Sequence, residues 1–233
     1  MLKVKYYNQN HFSHSVSRNA MKARVIEKVK VHNVLVLSPH QDDDVLGCGG
    51  LLAYLSEEGA KIRVVYFDDG ARGNKTGKWD RDLVWQREEE AISALRKLNV
   101  SEVKFLRQKG LAGQKDLWHL VLEELKTRPN DLVLAPTHHD WHPDHVALAE
   151  AAELAIKKIA KNKPKIWSYF VWGVPPLNLV FPIDKYLKKK QAAAICHKSQ
   201  LSVKHYDDAI LAMNQYLGEA LGVSKYAEAY FEN

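Results

Sequence analysis

The chain has 233 residues, 34 basic and 28 acidic, with a formal net charge of +6, a length that buries a full core without staples and suits one α/β domain. Its two cysteines, Cys48 and Cys196, stand far apart in apolar contexts, which argues against a disulfide framework and for a reducing, cytoplasmic setting. The mild positive charge forms no aromatic-interleaved stripe, so nucleic acid is not expected as a partner, whereas an anionic small molecule fits.

Residues 1–30 hold no continuous apolar run and no small-residue cleavage site, so no signal peptide is read there. Nowhere do about 18 uncharged apolar residues run together, so no membrane span is expected. We read 1–30 as an N-terminal extension, with the polar stretch 8–20 an arm, an extra strand or a partner contact. Residues 31–233 read as a single domain.

In chain order, the apolar run Val34, Leu35, Val36, Leu37 predicts a strand buried on both faces. It runs into the polar turn Ser38-Pro39-His40-Gln41-Asp42-Asp43-Asp44 and then a glycine-rich helix. A second strand is expected at 61–67, ending in Asp68-Asp69-Gly70. The polar loop 71–82, with its lysines and Trp79, reads as a flap over a site or as a plain exposed loop. A helix over 84–97 places Ala91, Ala94, Leu95 and Leu98 inward, with Glu88, Glu89 and Glu90 expected mostly in solvent. A strand at 103–106 follows, then a helix capped by Asp116 and stopped by Pro129, with Leu117, Leu120, Val121 and Leu125 inward.

The next strand, 131–136, leads into Thr137-His138-His139-Asp140-Trp141-His142-Pro143-Asp144-His145, and an amphipathic helix runs on to about residue 160. A strand at 166–172 is broken by Pro175-Pro176. Two helices close the chain, 184–197 with a Lys188, Lys189, Lys190 face, and 206–221. This alternation predicts a mostly parallel sheet with helices on both faces.

Clusters of imidazoles and carboxylates after two buried strands are costly to desolvate unless paired or metal-bound, and strand carboxyl ends are where such sheets place ligands. His40 and Asp43 with His145 would supply two imidazoles and one carboxylate, leaving one coordination position open, as in a catalytic zinc site. Asp42 then reads as the general base. His142, one helical step from His145, reads as a protonated donor to the oxyanion, with Asp144 holding it charged. Taken singly each motif also reads as a capped turn, and binding of calcium or magnesium by the carboxylates is the lesser metal option.

Pro39-His40-Gln41-Asp42-Asp43-Asp44, Gly47-Cys48-Gly49-Gly50 and His142-Pro143-Asp144-His145 resemble the signatures of the PIG-L/LmbE-like family of zinc-dependent N-acetylglucosaminyl deacetylases. Arg87-Glu88-Glu89-Glu90-Ala91, Gly110-Leu111 and His197-Lys198-Ser199-Gln200 extend the likeness in the same order over residues 33–200. The resemblance implies a Rossmann-like three-layer α/β/α sandwich. It also implies zinc (or another divalent ion such as iron) on His40, Asp43 and His145, Asp42 as base, and His142 with Asp144 as the oxyanion and proton-transfer pair. Arg87 would bind sugar hydroxyls, or else pair with Glu88 or Glu90. Gln41 stands where the family has proline, Asp44 where it has glutamate, and Gln108 where many relatives place an acid that grips the sugar.

The implied reaction is removal of the N-acetyl group from an N-acetylglucosamine-type sugar or conjugate. The alternatives are another small N-acyl compound or a non-catalytic metal- or sugar-binding relative. Arg72, Lys75, Lys78, Arg107 and Lys109 would favour an anionic substrate, and the family likeness suggests a trimer or hexamer.

Overall fold

Strand residues alternate between faces, so an uninterrupted apolar run is stable only where both faces are covered. Strand β3 (Asn33–Ser38) meets that condition. Val34 and Val36 pack into the core under α1 (Asp43–Glu57) and α2 (Arg81–Lys97). Leu35 and Leu37 pack on the other side against α3 (Leu117–Lys126) and α4 (Pro143–Lys157). Strands β4 (Lys61–Asp68) and β6 (Leu132–Pro136) flank β3 in parallel and repeat the pattern. Each fully buried Val or Leu of these strands contributes roughly 1.5–3 kcal/mol.

The computed structural model describes residues 4–6, 23–173 and 176–232. The polar stretch 8–20 and Pro175 lie outside them. The remaining strands are β1 (Val4–Tyr6), β2 (Arg24–Ile26), β5 (Glu102–Gln108), β7 (Lys165–Tyr169), β8 (Leu179–Pro182) and β9 (Ala227–Glu232). The nine-stranded sheet runs in the order β1-β2-β8-β9-β7-β6-β3-β4-β5. Its half from β7 to β5 is parallel, whereas β9 is antiparallel to both neighbours and β1 is antiparallel to β2. The expected three-layer Rossmann-like sandwich is therefore the fold, with part of the 1–30 segment added at one edge.

Several expectations need correcting. Helix α2 begins at Arg81, three residues early, because the Asp80 carboxylate accepts the N–H groups of Asp82 and Leu83. Of the three glutamates expected in solvent, only Glu89 is exposed; Glu88 is buried, and Glu90 is half-buried where it accepts the Ser199 N–H and hydroxyl. Asp116 makes no side-chain cap. Strand β7 stops at Tyr169, and the 184–197 helix is the shorter α5 (Leu187–Ala194), followed by α6 (Lys198–Leu201) and α7 (Tyr206–Ala220). Lys190, read as part of a basic face, is 1% exposed and paired with the equally buried Glu228 of β9.

Helix α1 approaches the sheet closely enough that a Cβ at Gly47 would lie 2.2 Å from Tyr169 Cδ2. Tyr169 cannot yield cheaply, since its hydroxyl donates to the Leu37 carbonyl at 3.0 Å. Gly47→Ala should therefore lower stability by about 1–3 kcal/mol, read as a fall in the urea midpoint at unchanged slope.

Candidate metal centre and catalytic pocket

The turn after β3 is shaped by its own side chains. Asp43 Oδ2 accepts the His40 backbone N–H at 2.9 Å, so the ligand-bearing turn folds back on itself. Gln41, in place of a proline, donates through Nε2 to the Asp68 carbonyl at 2.8 Å and ties the turn to the end of β4.

The same Asp43 oxygen lies 3.0 Å from His40 Nδ1 and 3.1 Å from His145 Nε2, so the residues proposed as metal ligands converge across about a hundred residues of chain. Nitrogens of His40, His142 and His145 also lie within 4.8 Å of one another. Three imidazoles thus cluster there, two of them on the Asp43 carboxylate.

His145 is fully buried, and its Nδ1 lies 3.2 Å from Asp140 Oδ2. Neither ring nitrogen is aligned for a hydrogen bond in these contacts. A dry imidazole with no aligned partner, beside a buried carboxylate, is the donor set a divalent cation of borderline softness takes. Asp140, not singled out in the sequence, fits the carboxylate that orients a ligand histidine. It also accepts N–H groups from His142, Val171 and Trp172. Its position two residues before His142 was the available signal.

The charges follow from these contacts. Burial would lift the Asp43 carboxyl, but the His145 and His40 imidazoles hold it well below the usual carboxylate range. Burial works against a charged His40, yet Asp43 and the hydrogen bond to Asp144 outweigh it and raise the imidazole to about 10. His145 rises to about 9 against the same burial, through Asp43 and Asp140. Asp44, buried with the Tyr66 hydroxyl on its carboxyl, is pushed by burial up to about 8.

Asp144 meets His142 only loosely and makes its closer contacts elsewhere. Asp144 accepts the N–H groups of Leu111 and Ala112, each at 2.8 Å, and lies 3.3 Å from His40 Nε2 but 3.9 Å from His142 Nδ1. His142 caps α4 instead, its Nδ1 accepting the Asp144 backbone N–H at 3.3 Å. That bond needs an unprotonated Nδ1, and burial together with the charges of His40 and His145 lowers the His142 pKa. A neutral His142 in this arrangement carries its proton on Nε2.

Asp42 is 6% exposed and lines a cavity of about 630 Å³ with His40, Asp43 and His142. Arg87 Nη2 donates to its Oδ1 at 3.0 Å and the Tyr206 hydroxyl to its Oδ2 at 2.6 Å. Arg87, expected on the sugar or on Glu88 or Glu90, is thus bonded to the base candidate, although it still reaches the cavity. Glu88 pairs instead with Arg107, at 2.7 and 2.8 Å. Gln108 does not line the cavity, and its amide donates to the Leu106 carbonyl at 3.2 Å.

The loop after β4 does reach the cavity. Trp79, held by Nε1–H donation to Asp69 Oδ2 at 3.0 Å, stands over it, and Gln200 Nε2 donates to the Gly73 carbonyl.

Comparison with known proteins places the chain in a family. Residues 35–156 match the PIG-L family model, described as GlcNAc-PI de-N-acetylase. The chain belongs to the PIG-L family. It is 28% identical over 182 residues to an uncharacterized deacetylase, YaiS, of Escherichia coli K12, covering 73% of this chain and 92% of the relative. It is 28% identical over 143 residues, 57% of this chain and 65% of the relative, to a probable N-acetyl-alpha-D-glucosaminyl L-malate deacetylase 2 of Bacillus subtilis 168. The N,N'-diacetylchitobiose deacetylase of Pyrococcus horikoshii shares the fold at a TM-score of 0.76 and 22% identity, over 88% of this chain and 84% of that one. No helix among the described residues is long and apolar enough to cross a membrane.

If Asp140 orients His145, Asp140→Asn should weaken metal binding about 10–100-fold while leaving the far-ultraviolet circular dichroism unchanged. Competition with a chromogenic chelator measures it.

Proposed function

We propose that the protein is a divalent-metal N-deacetylase, with zinc the first candidate and iron(II) compatible with the same donors, that removes acetyl from an N-acetylglucosamine-type sugar or conjugate. The observation that carries this reading is the convergence of His40 and His145 on Asp43, with His40, Asp43 and Asp42 lining one cavity. We assign those three as ligands, because Asp43 is a buried anion between the two imidazoles, and keep His142, whose Nδ1 caps α4, for the oxyanion.

A metal held there supplies Lewis-acid polarisation of a carbonyl and acidifies water. Asp42 is the group placed to take the proton of the attacking water. Arg87 and Tyr206 donate to its two oxygens, fixing its orientation while leaving each oxygen a second lone pair. His142, neutral and protonated at Nε2, can donate to the oxygen of the acetyl carbonyl as charge develops there. Asp42, having gained a proton, can return it to the departing amine.

The substrate is further read as anionic. Among the described residues Arg72, Lys109 and Lys204 at the cavity form no ion pair. Lys109 lies over the Trp79 ring at 5.4 Å and Lys204 over the Trp172 ring at 4.7 Å. Of the other cations named from sequence, Arg107 is consumed by Glu88, while Lys75 and Lys78 do not line the cavity. The malate in the name of the Bacillus relative is an anionic group of the same kind.

Metal analysis and an acetate-release screen over N-acetylglucosamine, its phosphates, nucleotide conjugates and glycosides test the reading. Acetate from at least one sugar is expected, and none from any would overturn it. Asp42→Asn should cut kcat about 10²–10⁴-fold with metal content unchanged; loss of the metal together with activity would show that the roles are misassigned. In Lys109→Ala/Lys204→Ala the ratio of kcat/KM for N-acetylglucosamine 1-phosphate to that for the methyl glycoside should fall about tenfold, the scale of a few weakened charge contacts. An unchanged ratio would remove the anionic preference.

A further inference from the structure

Helix α1 is broken. Cys48 sits at φ −141° and ψ 16°, outside helical geometry, so the first turn, which carries Asp43, is separated from the segment that follows. A break inside a buried helix leaves carbonyls and N–H groups without partners, and each must be answered by something.

One buried ion pair answers both sides of this break. Lys190 Nζ of α5 donates to the Leu46 carbonyl at 2.8 Å and to Glu228 Oε1 at 2.7 Å. Glu228 of β9 accepts the Gly50 N–H on Oε1 and the Leu51 N–H on Oε2, both at 2.8 Å, and the Tyr230 hydroxyl at 2.7 Å. The cation thus terminates the first segment and the anion opens the second, in the orientation that helix dipoles favour. The glycines allow the approach: a Cβ at Gly50 would lie 2.5 Å from Ile183 Cγ2 and 3.1 Å from Glu228 Oε1.

The break bears on the site through one peptide. The carbonyl of Leu46 is held by Lys190, and its N–H donates to the Asp42 carbonyl at 3.0 Å. We propose that Lys190 and Glu228 are positioning residues for the metal-binding turn: by ending the first turn of α1 at Leu46 they set where Asp42 and Asp43 stand. Neither side chain touches the reacting atoms, and the inference rests on the assignment of Asp43 as a metal ligand.

Lys190→Met and Glu228→Gln test this against Arg63→Met, which breaks the comparably buried Arg63–Glu124 pair (2.9 Å) without a bond to α1. Two readouts are taken below the unfolding transition of every variant: the zinc dissociation constant by chelator competition, and amide exchange of Leu46 in the metal-free protein. The Lys190 and Glu228 variants should each weaken zinc about tenfold or more, as loss of ligand support does, and speed Leu46 exchange by a similar factor. Arg63→Met should hold both within about twofold, the scatter of independent sites.

Equal effects in Arg63→Met, or a folded Lys190→Met protein with unchanged zinc affinity and unchanged Leu46 exchange, would overturn the proposal. If a single variant with an uncompensated charge does not fold, the double variant Lys190→Met/Glu228→Gln, which removes both charges, takes its place. Wild-type protein that binds no zinc would defeat the metal assignment, and Leu46 exchange alone then decides whether the pair braces the turn.

Discussion

The carboxylate of Asp43, held out of water at the end of the central strand, is the constraint to which the rest of the site answers. An isolated anion there would neutralise itself by taking up a proton. Instead it is kept ionised by imidazoles delivered from its own turn and from the far side of β6. Because β3 and β6 are neighbours and parallel, their carboxyl ends open on the same crevice. Strand order alone thus brings the two clusters within bonding distance.

Three consecutive aspartates take three different states from their surroundings. Asp42 is an acceptor between a guanidinium and a phenol, Asp43 is an anion between two histidines, and Asp44 is an acid whose pKa burial raises against Tyr66. Adjacent residues at a helix start point in different directions, so one turn can offer a base, a ligand and a structural acid without their competing for one atom. The histidines divide in the same way, since His145 is dry and lies beside Asp140, whereas His142 faces the cavity and caps its helix.

The carboxy-terminal third of the chain braces this centre from behind. Helix α6 grips the loop under Trp79 through Gln200 and grips α2 through Ser199, helix α7 supplies Tyr206, and β9 with α5 supplies the ion pair across the broken helix. Breaking one member of so buried a pair typically costs about 3–5 kcal/mol. A charge pair in that position is better understood as a device of geometry than of net stability.

Much of the site was legible in the sequence because its signals are local. A four-residue apolar run needs both faces covered, and polar clusters directly after two such runs share a sheet end when the strands are parallel, so the sequence alone groups His40, Asp42, Asp43 and His145. The resemblance to the PIG-L family rested on the same stretches. What the sequence could not show depends on which distant group answers which charge. The partner of Arg87 is Asp42 rather than a nearby glutamate, Asp144 lies nearer to His40 than to His142, Gln108 bonds the Leu106 carbonyl outside the cavity lining, and Lys190 is buried within a run of lysines that looks solvated. Strand β9 escaped notice because Glu228, an inward charge, interrupts its apolar pattern, and that charge is tolerable only where Lys190 and the freed N–H groups of α1 meet it. Periodicity records which faces avoid water, and so the sequence by itself determined the layers and the strand ends that bear the chemistry. Pairing of buried charges is settled by distances between remote segments, and only the tertiary structure decided it.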